Sequence, residues 1–238
     1  MPQNRFYLTN DLNLGHQYRL EEEEAQHCKV MRCREREVIE VINGRGVVTK
    51  AIILSIEKKA IHFEVIERIE ETPPAYLLSL AQALPRLNRL DTIIEKGTEL
   101  GVSRFLIFPG ELSEKKELTE TQIQRIENII IAATKQCGRL WLPSIQIMPS
   151  LKNWPYQESF LFFGDVAPSA PLFKDRVMNS PACKNLTFFI GPEQGFSQSE
   201  EVALSTMGAV GVKIHSNTLR SDTAAIAALS IASHLLDL

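Results

Sequence analysis

The sequence predicts a small β-rich domain followed by an α/β domain with a mainly parallel sheet. Three observations carry that reading: β-branched runs between residues 37 and 69, a proline-marked break just after them, and strand–helix alternation from there onward. In the first part, Val38 to Ile42, Val47 to Ile53 and Ile61 to Ile66 read as strands. Asn43-Gly44-Arg45-Gly46 and Glu57-Lys58-Lys59 separate them as turns, a spacing that suits a small antiparallel barrel. Glu70-Glu71-Thr72-Pro73-Pro74 reads as a linker, because paired prolines stop both ladder and helix. The expected domains are therefore 1–72 and 75–238.

Beyond the linker, Tyr76 to Ala83 reads as a buried strand. Arg86 to Leu100 reads as a helix with Leu87, Leu90, Ile94 and Gly97 on one face, ended by Gly101. Arg104 to Phe108 is the next strand, and Thr119-x-x-Gln122 has capping-box form at the start of a long helix ending near Gly138. Phe160 to Phe163, Leu186 to Ile190 and Val210 to Ile214 supply further strands. Ser197-x-x-Glu200 is a second capping box, with Phe196 at the staple position. From Ser221 the last helix is rich in alanine, which suits a helix that is tightly enclosed or meets a symmetry mate.

At 238 residues, 44% hydrophobic and 23% charged, the chain has ample material for a core. No apolar stretch approaches a membrane span, and Met1-Pro2-Gln3-Asn4-Arg5 lacks the apolar core of a signal peptide. Cys28, Cys33, Cys137 and Cys183 form no CxxC pair, so reduced thiols in a cytosol are expected, without structural zinc or a disulfide framework. The five histidines show no metal-ligand spacing. Glycine-rich dinucleotide and nucleotide loops and a GxSxG elbow are also missing, which argues against Rossmann enzymes, NTPases and hydrolases. A net charge of −3 means that nucleic-acid binding requires a local basic patch.

Two motifs stand out near the C-terminus: Gly191-Pro192-Glu193-Gln194-Gly195-Phe196-Ser197 and Leu219-Arg220-Ser221-Asp222-Thr223-Ala224. Each follows a strand and opens a helix, a geometry that presents backbone N–H groups to a ligand. Either one alone reads as a structural turn or helix cap. Together, with a small-residue helix behind them, they point to one pocket. A third cluster, Lys29, Arg32, Arg34 and Arg36 with only Glu35 between, carries +3 inside a region (1–72) whose net charge is −2. It is either an RNA-contacting patch or a solvated face, and His27 beside it is either a packed or a capping histidine.

These residues resemble the RsmE family of 16S rRNA uridine-N3 methyltransferases, which belongs to the SPOUT class. Arg5-Phe6-Tyr7 is similar to the family's Arg-Phe-Phe opening, and His27 through Arg32 to its His-x-x-x-Val-x-Arg segment. Asn43 to Gly46 is similar to the glycine turn that follows. Glu95 to Val102 resembles Lys-Ala-Thr-Glu-Leu-Gly-Val, and Gln136 to Arg139 with Pro143 resembles Glu-Gln-Ser-x-Arg with its downstream proline. The two C-terminal motifs are similar to Gly-Pro-Glu-Gly-Gly-Phe-Ser and Leu-Arg-Thr-Glu-Thr-Ala. Gln194 stands where the family has glycine, Ser221 and Asp222 where it has Thr and Glu, and Lys115 and Lys116 where it more often has an arginine-bearing segment.

The resemblance implies a PUA-like β-barrel RNA-binding domain before a SPOUT α/β trefoil-knot domain, a homodimer, and S-adenosylmethionine as cofactor. It implies a cofactor site built from Gly191, Pro192, Glu193, Gly195, Phe196, Ile214, Leu219, Ser221, Asp222, Thr223 and Ala224. Arg220 becomes the catalytic candidate, and Arg5, Lys29, Arg32, Arg34 and Arg36 the RNA contacts. The implied partner is 16S rRNA or the small ribosomal subunit. Two alternatives stay open: a non-catalytic RNA-binding ribosome-assembly module, favoured by Gln194, and a knot methyltransferase with another RNA target.

Overall fold

A computed structural model describes residues 4–155, 159–179 and 184–236, so Cys183 lies outside the described residues. Two compact units emerge: Met1–Pro73 with Ile131–Leu142, and Pro74–Ile130 with Pro143–Leu238. The segment 131–142, which the linker reading assigns to the second domain, thus clusters with the first unit.

The first unit is a curled five-stranded sheet in the order β1-β3-β4-β5-β2. Its strands are β1 (Arg5–Tyr7), β2 (Gln17–Glu21), β3 (Val38–Ile42), β4 (Val47–Ile56) and β5 (Ala60–Glu70). Alternation along β3 to β5 sends Ile39, Val41, Ala51, Ile53, Ile61, Phe63 and Val65 inward, where Phe6 and Leu20 join them. The sheet is not wholly antiparallel, since β1 pairs parallel to β3. The connection between these strands contains β2 and helix α1 (Glu22–Val30), long enough for a parallel crossover. The acidic run Glu22 to Glu24 forms the first turn of α1, where the helix dipole favours negative charge.

The Asn43–Gly46 turn carries more than a hairpin. The Asn43 side chain accepts from the N–H groups of Arg45 and Val47 at 2.8 and 3.1 Å. Gly46 donates to the Leu140 carbonyl and Leu142 to that of Gly44, both at 2.9 Å. A Cβ on Gly46 would sit 2.5 Å from the Trp141 ring, so the segment 140–142 requires glycine there as much as the positive φ of +89° does.

The second unit holds a parallel six-stranded sheet in the order β11-β9-β10-β6-β7-β8. Its strands are β6 (Leu77–Ala83), β7 (Arg104–Phe108), β8 (Ser144–Ile147), β9 (Phe160–Gly164), β10 (Asn185–Ile190) and β11 (Val210–Val212). The helices are α2 (Leu87–Glu99), α3 (Glu120–Cys137, which ends in the 131–142 segment), α4 (Phe173–Met178), α5 (Gln198–Thr206) and α6 (Ser221–Leu236). Strands β6 and β10 are buried nearly throughout, as expected for central parallel strands.

Helix α6 packs against α2, α4, β6 and β10. Its inner face is Ala225, Ala228, Leu229 and Ala232, all fully buried, and the three alanines allow close enclosure there. Gly97 of α2 contributes to the same fit: a Cβ there would lie 2.7 Å from Phe105 and 3.4 Å from Leu229.

Candidate active site

The turns after β9, β10 and β11, three neighbouring strands, meet at the carboxyl edge of the parallel sheet. That edge is where open α/β sheets hold ligands. They enclose a cleft of about 610 Å³, within the range of small-molecule sites. Ile190, Ile214, Leu219 and Ala224 supply apolar wall, and the turn from Gly191 to Phe196 forms one side. A second, more open groove of about 640 Å³, lined by Leu151, Trp154, Val202 and Met207, contains neither motif.

The first turn is built by glycine geometry and a buried carboxylate. A Cβ on Gly191 would fall 2.9 Å from the Gly195 carbonyl carbon. Gly195 donates to the Pro192 carbonyl at 3.0 Å and has φ +80°. Gln194 is not among the positive-φ residues, so a side chain at that position costs the turn no torsional strain.

Glu200 is 2% exposed and closes the predicted capping box: its Oε2 accepts from the Ser197 N–H at 2.9 Å, and its own N–H donates to Ser197 Oγ at 3.2 Å. Its other oxygen accepts from the Glu111 N–H at 2.9 Å, tying in the loop after β7. The Glu111 carboxylate takes hydrogen bonds from the Ser197 and Ser199 hydroxyls and from Lys152, which hold its pKa down at about 2. Phe196 does not staple α5, because the position four residues into the helix is Glu201; its ring instead meets Phe163 of β9 edge-on at 6.1 Å.

The second motif joins the first through side chains. Ser221 does not cap α6. Its hydroxyl donates to the Gly191 carbonyl at 2.7 Å and accepts from Gln82 Nε2 at 3.1 Å. Glu193 borders the cleft, but its carboxylate accepts from the Arg86 N–H at 3.1 Å and pairs with Arg89 at 3.3 Å. Asp222 pairs with the same Arg89 at 2.9 Å, and neither Asp222 nor Thr223 is among the residues lining the cleft. Arg220 is exposed and borders the lining residues Leu219 and Ser221 without itself lining the cleft.

Several residues of this site escaped sequence reasoning. Gln82 is fully buried at the end of an apolar strand, and that lone amide in Leu77 to Ala83 was the available signal. Asp165, Lys213, His215 and Asn217 border the cleft from loops with no motif of their own.

In the first unit the predicted RNA contacts divide. Arg5 is largely enclosed: its side chain is 10% exposed, and its Nε and Nη2 both bind Glu40, directly opposite on β3, at 2.9 and 2.8 Å. Lys29 is half-buried, and its ammonium donates to the Lys58 carbonyl. Arg32, Arg34 and Arg36 are exposed. The acidic side chains among them are taken by backbone, Glu35 by the Ile56 N–H and Glu37 by that of Arg34. His27 is the packed histidine of the two readings. It rests against Phe6, and burial, then nearby Lys135, hold its pKa below the usual histidine value despite Glu24.

Residues 72–233 match the family model for an RNA methyltransferase domain, and residues 20–66 match that for an RNA methyltransferase PUA domain. The chain therefore belongs to the RNA methyltransferase family that the first model defines. Among individual proteins it is similar to ribosomal RNA small subunit methyltransferase E of Buchnera aphidicola from Acyrthosiphon pisum, at 27% identity over 95% of this chain and 91% of that one. The enzyme of the same name from Aquifex aeolicus is 29% identical over 89% and 92%. Of solved structures, ribosomal RNA small subunit methyltransferase E from Neisseria gonorrhoeae, bound to S-adenosyl methionine, superposes with a TM-score of 0.86 at 26% identity, covering 99% of this chain and 98% of that one.

Proposed function

We propose that the protein transfers a methyl group from S-adenosylmethionine to N3 of a uridine in 16S rRNA. The observation that carries this reading is the cleft at the carboxyl edge of the sheet, where the glycine-bearing turn Gly191 to Ser197 meets the Leu219 to Ala224 motif. The lining fits the cofactor: apolar Ile190, Ile214, Leu219 and Ala224 suit an adenine ring, and the polar backbone of the turn from Gly191 to Phe196 suits its edges. S-adenosylmethionine, when bound, supplies an already activated methyl group. The protein is then left with alignment, a proximity effect, and with the negative charge that develops on the uracil carbonyls as the N3 proton leaves.

Arg220, exposed beside the cleft, is the proposed source of that stabilisation. Gly191, Pro192, Gly195, Phe196, Ile214, Leu219, Ser221 and Ala224 are the proposed cofactor residues, with Glu193 and Asp222 shaping the turns from behind and Thr223 following at the helix start. The N3 edge is hidden in paired RNA, so the target uridine must be unpaired or flipped out.

The proposed RNA surface is the 1–72 region with Arg32, Arg34 and Arg36 at its centre, and the 75–238 region is the proposed catalytic domain with a C-terminal trefoil knot. A homodimer acting in the cytoplasm on 16S rRNA or the small subunit completes the reading. Among the described residues no helix is long and apolar enough to cross a membrane.

Calorimetry with S-adenosylmethionine and S-adenosylhomocysteine tests the cofactor site. Single-turnover assays of Arg220→Ala should show methyl transfer slowed by about 10²–10³, the cost typical of losing one oxyanion-stabilising donor. Turnover close to wild type in a folded, cofactor-binding Arg220→Ala protein removes this arginine from the chemistry.

A further inference from the structure

Arg89 lies in the first turn of α2, where the helix dipole disfavours a cation and no acidic residue of that turn offsets it. Its side chain is 19% exposed and reaches two carboxylates from separate motifs: Nη1 to Asp222 at 2.9 Å and Nε to Glu193 at 3.3 Å. Those carboxylates are themselves only 26% and 28% exposed. A cation so placed contradicts its local helix preference, and such contradictions mark sites where another requirement dominates.

The requirement is visible in the geometry. One guanidinium spans both acids, so they face each other across its width, and without the cation between them they would repel. The motifs are also linked by the 2.7 Å hydrogen bond from Ser221 to the Gly191 carbonyl, and by Gln82, whose amide donates to both groups. The Glu193 turn forms a wall of the cleft, and Ser221, immediately before Asp222, lines it as well.

We infer that Arg89 is a positioning residue that holds the β10–α5 turn and the start of α6 together, and so sets the affinity of the cofactor cleft. This rests on the cofactor reading above. Arg89 touches no reacting atom; it acts through Glu193 and Asp222. A planar fork suits the task because it fixes its N–H groups on separate edges of one flat cation, whereas a lysine is a point charge on a flexible stem.

The test is calorimetry with S-adenosylhomocysteine on wild type, Arg89→Ala, Arg89→Gln, Asp222→Asn and the Arg89→Gln/Asp222→Asn double variant, with melting curves for each. Arg89→Gln keeps much of the side-chain volume and guards against simple misfolding in Arg89→Ala. Loss of the bridge should weaken binding roughly 10- to 100-fold, as for one or two partly buried charge-assisted hydrogen bonds.

The diagnostic result is a change of sign. Asp222→Asn should weaken binding in wild type but strengthen it in the Arg89→Gln background, where it removes a facing like charge. A purely structural arginine would lower the melting temperature and leave the affinity of the folded protein unchanged. Equal affinity in wild type and Arg89→Gln, or a double variant no tighter than Arg89→Gln, overturns the inference alone. Wild-type protein that binds neither S-adenosylmethionine nor its product overturns the cofactor reading and this inference with it.

Discussion

Gly191 and Gly195 are glycine for different reasons, and substitution separates them. At Gly191 the constraint is space, because a Cβ would press on the Gly195 backbone at 2.9 Å. At Gly195 nothing lies within 4 Å of a Cβ, and the constraint is its φ of +80°. Gly191→Ala should therefore displace the turn and weaken cofactor binding at least tenfold, while Gly195→Ala costs about 1–2 kcal/mol of torsional strain, much of which Gly195→Asn recovers. Calorimetry beside circular dichroism distinguishes the two, and equal affinities in all three variants would contradict this account of the turn. His27 gives a pH signature. Its folded-state pKa is depressed, so the unfolded chain binds the proton more readily, and stability is full above about pH 6.5 and declines as pH falls below it. Urea melts at pH 7.5 and 5.5 should show that decline, and His27→Phe should flatten it.

Helix α5 depends on one buried acid. Glu200 satisfies the N–H groups of Ser197 and Glu111, so Glu200→Ala leaves two donors without an acceptor and should cost about 2–3 kcal/mol in urea melts. A loss under 0.5 kcal/mol would mean that water replaces the carboxylate. The loop after α1 makes a different prediction. If Arg32 and Arg34 contact phosphate, replacing both should lower the log–log salt slope of rRNA binding by roughly 0.7–0.9 per contact and leave cofactor affinity unchanged. An unaltered slope would return the cluster to a solvated face. Elements were legible in the sequence where pattern and cap agreed. The box at Ser197 and Glu200 and that at Thr119 and Gln122 both form, and β7 spans Arg104–Phe108 as read. Strand β8 was not legible, because Ser144–Ile147 is a short, largely exposed edge strand. Helix α1 was hidden because its acidic first turn resembles a solvated run.

At the scale of the whole molecule, the two C-terminal motifs were legible as a pair because each lies between a strand and a helix start. What joins them was not. Gln82, Arg89 and the loop after β9 come from distant positions, and only the parallel order of β11, β9, β10 and β6 brings them together. Arg5 shows the same dependence on tertiary structure: the resemblance implied an RNA contact, and only the fold shows its pairing with Glu40 across β1 and β3. In the proposed reading, function is carried by a tertiary cleft with local turns at its rim, and its chemistry can be read directly on the product. Incubating the protein with S-adenosylmethionine and unmodified 16S rRNA or small subunits, then mapping methylated nucleosides by mass spectrometry, tests the central claim. The account predicts one added methyl group, on N3 of a single uridine, formed about 10²–10³-fold more slowly with Arg220→Ala and also less readily with Arg89→Gln. A transferred methyl on another base or atom, or none from protein that binds both cofactor and RNA, would contradict it.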